Sequence, residues 1–507
     1  MNKNLLLALS SGILLGIPFC IPSLFFLILF AWIPLLFLES KLSKHHNPYL
    51  IYNYSFLAFS LWNIMAYWWV AQAHFLGAIL IILINSLLLA LIFWFISKAR
   101  KTLRISILFP FLIIWLGFEY FHTIWDLAWP WLNLGNSFAS APSWIQWYEF
   151  TGTRGGSLWI ILINYSIFEI IRREKSFKYS QIVILLILFG IPLLYSSILN
   201  DIKPAKLDGN KSFALIQPNL DPYTEKFAPE NEEKHFDEFI RIADSICRKD
   251  APDFLFGPET LILQSIDENH PSASQHYQKL MDLKNQYPKT KFLIGVHSKI
   301  ENESFNSALL LSDSVPQFYH KTKLVPMFER IPFDKYLGFL DKYSLEIGGY
   351  NGTYSSRNET NYFIEKGTAI IPIVCFESIF GDYCAQRIPE TKGFICMITN
   401  DGWWKNTAGY LHHFNFSRLR AIESRREYVR VANNGISALI DSKGTIIAKT
   451  SWWNKTILSG NVSLLSGTTF YTEHGDFIGR ICLFFAILLL IFVKIRTYTH
   501  RISGRKY

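Results

Sequence analysis

An α-helical membrane domain of eight transmembrane helices joined to one α/β soluble domain is the fold class this sequence predicts. Three observations predict it. Residues 1–198 are mostly apolar, residues 200–476 read as a water-soluble protein, and residues 477–493 are apolar again. The middle block alternates apolar runs with amphipathic ones, the pattern of a sheet covered by helices. Basic residues collect on alternate connections between the apolar segments.

The first apolar stretch, Leu5–Leu38, would be about 50 Å long as one helix, against a hydrocarbon core of ~30 Å. It must turn, and Pro18 and Pro22 mark the place, giving spans at 5–19 and 22–38. Bulky Phe19 beside Pro18 is a poor cleavage site, so these residues read as a span and not as a signal peptide. Further spans are expected at 50–70, 75–97, 105–121, 158–171 and 181–198, and a last one at 477–493. The segment 158–171 is the shortest and reads equally as a buried core helix by length alone. Charge decides for eight spans. With the N-terminus inside, the inside connections carry 16 Lys and Arg, whereas the short outside connections carry only Arg154. Both chain ends are then expected in the cytoplasm and the 200–476 domain outside. The expected divisions are 1–199 (membrane domain), 200–476 (catalytic domain) and 477–507 (last span and basic tail). Much of the formal net charge of +9 follows from this topology and from anionic headgroups. No basic face is gathered for nucleic acid.

Within the soluble block, strands are expected at 212–217, 253–257, 291–296, 307–312, 369–375 and 394–399, and helices at 231–249, 274–286, 377–386 and 408–427. Gly435–Asp441 and Thr445–Lys449 flank Ser-Lys-Gly and predict a hairpin. Residues 199–210 and 464–476 read as linkers. Of six cysteines, Cys247, Cys375, Cys384 and Cys396 fall in this block, where disulfides are possible and their pairing is open. No Cys/His spacing suggests zinc: the neighbours His412 and His413 lack the i, i+4 separation of helical ligands.

Three loops after strands carry reactive groups: Gly257-Pro258-Glu259-Thr260, Tyr319-His320-Lys321 running to Pro326, and Cys375-Phe376-Glu377. Alone, each is most simply a turn carboxylate, a solvated lysine and an inert core thiol. Together, a base, a cation and a thiol at successive strand ends converge on one rim of a sheet.

These motifs resemble the nitrilase superfamily, whose Glu–Lys–Cys triad comes in this chain order, and the membrane context narrows the resemblance to the apolipoprotein N-acyltransferase family. It runs over essentially the whole chain: Trp131-Leu132-Asn133-Leu134-Gly135, Glu149-Phe150-Thr151-Gly152, Ile216-Gln217-Pro218-Asn219, the three loops, Asn400-Asp401-Gly402-Trp403, Asn433-Asn434-Gly435 and Tyr471 to Asp476. Departures are Met327-Phe328 where Phe-Gly is common, Phe376 where Tyr is frequent, and Phe227 in place of an expected Trp. The resemblance implies an α-β-β-α sandwich on the periplasmic side of a bacterial inner membrane and needs no cofactor or metal. It implies acyl transfer from a phospholipid through a Cys375 thioester to the α-amine of a diacylglyceryl-cysteine apolipoprotein, with a lipid bilayer and no nucleic acid as partner. Glu259 is then the general base, and Lys321 with the Phe376 N–H stabilises the oxyanion. Glu329 holds Lys321 or the second substrate, and Glu377 either orients the nucleophile loop or is a plain helix N-terminal carboxylate. Phe227 contacts substrate. Trp403, Trp404, Phe328 and Phe333 are candidates to cover the thioester while touching the bilayer, with Trp403 and Trp404 equally readable as core packing. The competing classes are a membrane-anchored amidase, which would not need eight spans, and a transporter, against which the spans hold few charges.

Overall fold

The computed structural model describes residues 2–43, 45, 47, 49–172, 179–202, 207–333, 336, 354–357 and 362–502. The basic connection at 173–178, part of the 199–210 linker and the end of the basic tail lie outside the described residues. The chain divides into two compact units, Met1–Ala71 with Phe75–Asp201 and His474–Tyr507, and Gln72–His74 with Ile202–Glu473.

Among the described residues the regular structure of the first unit is all helical. Each expected span overlaps helical chain, and five described segments are long and apolar enough to cross a membrane: Lys3–Cys20, Pro22–Leu42, Phe75–Leu103, Tyr179–Asp201 and Phe477–Thr499. The other three miss that standard for physical reasons. Leu108–Phe121 has only 14 residues, Tyr49–Tyr67 is diluted by Asn53, Ser55 and Asn63, and Tyr148–Arg172 carries Glu149, Arg154, Glu169 and Arg172. The expected turn at Pro18 and Pro22 is present, but the second span is not one α-helix: a 3-10 turn, Pro22–Leu29, precedes the helix Ile33–Leu42. Backbone groups freed at that break are recovered by buried Asn164, which accepts from Trp32 N at 2.9 Å and donates to Ile28 O at 2.9 Å. Arg154 is buried and bonded to two carboxylates, Glu119 (2.9 Å) and Asp476 (2.9 Å). Glu119 also accepts from Leu134 N and Trp115 Nε1, and Asp476 accepts from Gly479 N at the start of the last helix.

The second unit is a sandwich of two sheets with helices outside. The first sheet runs β13 (Thr456–Leu465), β1 (Leu207–Gln217), β2 (Phe254–Phe256), β4 (Lys291–Ile300), β5 (Glu303–Leu311), β6 (Gln317–His320), with β3 (Ile262–Asp267) also on β4. The second runs β7 (Phe363–Glu365), β8 (Thr368–Val374), β9 (Gly393–Thr399), β10 (Tyr428–Ala432), β11 (Ala438–Ile440), β12 (Ile446–Lys449). One pairing, Leu465 with Gly393, joins them. Period-two alternation builds two cores. Phe213 and Leu215 of β1, Leu293 of β4 and Leu310 of β5 face Ile370, Phe394, Ile398 and Val429 between the sheets. Their neighbours Ala214, Ile216, Ile294 and Leu309 face Phe236, Phe239 and Leu280 of the outer helices Glu232–Asp250 and Gln275–Gln286. The helix Ala408–Ser424 packs on β10 and β11 at the other face. The layers are therefore α-β-β-α.

Three local expectations need correction. Residues 377–386 do not form one helix: a 3-10 turn Cys375–Ile379 is broken at Phe380 before the short helix Gly381–Ala385. The 408–427 helix stops at Ser424, because Arg425 turns left-handed (φ +49°). Neither expected linker is bare: at 199–210 a helix runs to Asp201 and β1 starts at Leu207, and at 464–476 β13 runs to Leu465 and a helical turn spans Phe470–His474. All six cysteines are free thiols.

Candidate active site

Parallel pairing of β1, β2 and β4, and of β8, β9 and β10, aligns strand ends that lead into the reactive loops. Glu259 follows β2, Lys321 follows β6 and Cys375 follows β8. Several non-glycine residues in or next to these loops, and Asn219 after β1, hold left-handed backbone: Asn219 (φ +59°), Thr260 (+48°), Met327 (+69°) and Cys375 (+48°). Such conformations cost on the order of 1–3 kcal/mol each and persist only where neighbours enforce them. Gly295 on β4 serves the first loop. A Cβ there would stand 2.5 Å from Glu259 Cα, so only glycine lets the loop lie flat on the strand.

The structure brings Glu259, Lys321 and Glu329 into one buried cluster. Lys321 Nζ donates to Glu259 Oε1 at 3.2 Å and to Glu329 Oε1 at 2.7 Å, while Glu329 Oε2 accepts from Val325 N. Of the two readings of Glu329, the contact with Lys321 is the one observed. Asn306 Nδ2 adds a bond to Glu259 Oε1 at 2.8 Å, and Lys226 Nζ donates to the Glu259 carbonyl at 2.7 Å. Among the described residues, both side-chain bonds to Glu259 fall on Oε1.

The charges follow from this packing. Burial works to raise the Glu259 pKa, yet the Lys321 and Lys226 ammoniums hold it below the ordinary value. Burial likewise opposes the Lys321 charge, but Glu259 and Glu329 keep its pKa above that of a free lysine. Burial keeps Glu329 raised despite Lys321. Cys375 is 8 % exposed, and burial and then the Glu259 charge push its thiol up, with Lys321 opposing. Cys375 therefore rests as a thiol, with the Glu259 and Lys321 charges acting on it in opposite directions.

Glu377 is wholly buried and ties two loops together. Its carboxylate accepts from Val374 N (2.8 Å) before Cys375, Thr322 N (2.7 Å) after Lys321, Tyr319 Oη (2.7 Å) and Tyr383 Oη (2.6 Å). Burial and the Glu377 charge raise both phenols, so they stay protonated donors. Phe376 is buried edge-on to Phe380 at 5.3 Å. The aromatics divide by contact: Phe227 stacks on Trp403 (5.4 Å, 22°), which Tyr223 meets edge-on, whereas Trp404 packs against buried His413.

Asn306 and Lys226 escaped the sequence. A polar Asn inside the apolar run Phe305–Leu311 was the available signal for the first. Lys226 sits in Glu225-Lys226-Phe227, which looks like a solvated charge pair, yet it is 4 % exposed and burial pushes it down to about 8.

Two family profiles match the chain. Residues 213–469 match the family described as carbon-nitrogen hydrolase, and residues 11–166 match the apolipoprotein N-acyltransferase N-terminal domain. An apolipoprotein N-acyltransferase of Chlorobaculum tepidum is 29% identical over 98% of this chain and 97% of its own. One from Geobacter metallireducens is 27% identical over 95% and 93%. Among solved structures, a CN-hydrolase superfamily protein of Xanthomonas campestris covers 50% of this chain and 91% of its own, at 18% identity and a TM-score of 0.38. The chain therefore belongs to the carbon-nitrogen hydrolase family and, within it, to the apolipoprotein N-acyltransferases.

Proposed function

We propose that this chain moves an acyl group from a membrane phospholipid to the N-terminal α-amine of a diacylglyceryl-cysteine lipoprotein, through a thioester on Cys375. The observation that carries the reading is the Lys321 ammonium lodged between Glu259 and Glu329, in the same cluster of loops as a left-handed Cys375. That constellation suits acyl transfer. Glu259 Oε2 takes the proton from Sγ as the Sγ–C bond forms at the ester carbonyl. The tetrahedral oxyanion rests on Lys321 and the Phe376 N–H, where one such donor is typically worth about 3–4 kcal/mol. Collapse breaks the C–O bond, and Glu259 returns its proton to the departing lysophospholipid hydroxyl. In the second half the α-amine attacks the thioester, Glu259 accepts a proton from nitrogen, and the thiol is restored beside a new amide.

The same reading assigns Phe227 and Trp403 to acyl-donor contact and gives Glu329 and Glu377 the work of fixing Lys321 and the nucleophile loop. It places eight spans in a bacterial inner membrane, both termini in the cytoplasm and the sandwich in the periplasm. The charge asymmetry of the connections and five long apolar helices support this.

The direct test is reconstitution of the full chain in liposomes containing a phospholipid with a labelled acyl chain, plus a diacylglyceryl-cysteinyl peptide. The label is expected in an amide at the peptide N-terminus. Release of label as free fatty acid only would mark a lipase and overturn the proposal. Thiol-accessibility labelling of single cysteines near residue 220 should find them outside in cells; finding them inside would remove a span.

A further inference from the structure

Behind Cys375 lies a buried polar chain that the reaction as described does not use. His413, on the helix Ala408–Ser424, has no exposed surface. Its Nε2 stands 3.0 Å from the Cys375 carbonyl oxygen and 3.0 Å from Ser378 Oγ, and its Nδ1 stands 2.8 Å from Asp401 Oδ1. Asp401 Oδ2 accepts from Arg430 Nη2 at 2.6 Å, and Thr399 Oγ1 donates to Asp401 Oδ1. Gly435 closes against this carboxylate, where a Cβ would fall 2.2 Å from Oδ2.

The Cys375 carbonyl and the Asp401 carboxylate both only accept, so both contacts are hydrogen bonds when each ring nitrogen carries a proton, an imidazolium with Nε2–H on Cys375 and Nδ1–H on Asp401. That carbonyl belongs to the same peptide group as the Phe376 N–H. A donor held at the oxygen end of a peptide fixes its plane and strengthens the N–H at the other end as a donor. The Cys375 backbone also needs an anchor, because φ of +48° is unfavourable for a residue with a Cβ. Ser378 Oγ supplies a second bond to the same oxygen at 2.9 Å.

We infer that Asp401 and His413 form a positioning pair that acts through the Cys375–Phe376 peptide, holding its carbonyl so that its N–H meets the developing oxyanion. The inference rests on the acyl-transfer reading above. The pair touches no substrate, and its effect falls on the charge that forms after attack, in both halves of the reaction.

The test separates oxyanion formation from thiol reactivity. Alkylation of Cys375 by iodoacetamide builds no oxyanion, so its rate and stoichiometry, read by peptide mass spectrometry, count sound sites and report the thiol. The full chain is assayed in liposomes as wild type, His413→Leu and His413→Gln. For His413→Leu, kcat per alkylatable site should fall by about tenfold to a hundredfold, with KM for the phospholipid and the alkylation rate within about twofold. His413→Gln keeps an N–H donor and should recover most of the loss. Asp401→Asn serves if His413→Leu does not fold, with a loss of about tenfold in kcat and normal alkylation. Unchanged kcat per site in the variant that folds would make the pair purely structural and overturn the inference. So would alkylation that slows in step with acyl transfer. A wild type that alkylates normally yet forms no amide would instead overturn the acyl-transfer reading.

Discussion

The chain holds two buried clusters with the same charges, one cation between two carboxylates, and they are built for opposite ends. In the helical unit Arg154 lies between Glu119 and Asp476; in the sandwich Lys321 lies between Glu259 and Glu329. Arg154 uses a planar fork with several bonds, and each carboxylate is also fixed by a backbone N–H, from Leu134 and from Gly479. That cluster is closed. It holds the start of the last helix against the chain at Glu119 and Arg154. Lys321 is a compact point charge with three rotatable donors, and Glu259 keeps one oxygen clear of side-chain bonds. In the proposed reaction that cluster is left open for a proton and an oxyanion. Equal charge therefore says little; the count of satisfied oxygens separates a clamp from a site.

Substitutions should break this comparison in a definite order. Cys375→Ala should abolish thioester and amide formation, and Glu259→Gln should lower kcat by about 10²–10⁴-fold with the fold intact, by thermal denaturation. Lys321→Met should cost about 10²–10³ in kcat, and Lys321→Arg should restore little, because a fork does not replace a point charge between the two glutamates. The matching change in the other cluster should act on stability instead. Arg154→Met leaves two buried carboxylates unpaired and should destabilise the protein by about 3–5 kcal/mol, while kcat per alkylatable Cys375 stays near wild type. A kinetic effect without a stability effect at Arg154 would merge the two clusters into one category.

A finer break concerns pH. Glu259 is held below the ordinary glutamate pKa partly by Lys226, so the acid limb of kcat/KM should lie below about 4.5. Removing that charge in Lys226→Met takes away an attraction that favours the carboxylate, so the limb should move upward, and Lys226→Arg should keep it low. The smallest effect is expected at Phe227→Trp, which keeps the stack on Trp403 and should change KM for the phospholipid by less than about threefold; Phe227→Ala should raise it more.

How much of this was legible follows a physical division. The strands that carry Glu259 and Cys375 are apolar runs bounded by turn residues, and the lysine loop follows a short strand, so chain order alone exposed the three reactive groups. Strands β3, β6, β7, β10 and β13 went unseen because they are short or carry polar residues such as Gln264, Arg430 and Asn461, which only tertiary pairing draws into a sheet. The expected count of spans rested on charge, whereas length and hydropathy single out five helical segments among the described residues; Arg154, the lone basic residue in the connections expected outside, proves to be buried and bonded to acids drawn from distant parts of the sequence. Lys226, Asn306 and His413 were hidden for one reason. Each is a polar residue whose role depends on a partner in another loop or strand, and no local period reports such a partner.

One measurement reaches the central claim most directly: intact-protein and peptide mass spectrometry of the full chain after mixing with a labelled phospholipid, before and after adding a diacylglyceryl-cysteinyl peptide. The account predicts one acyl group on the peptide containing Cys375, labile to hydroxylamine, which disappears as an equal amount of amide forms on the added peptide. Acylation at another residue, or amide formation in Cys375→Ala, would contradict it.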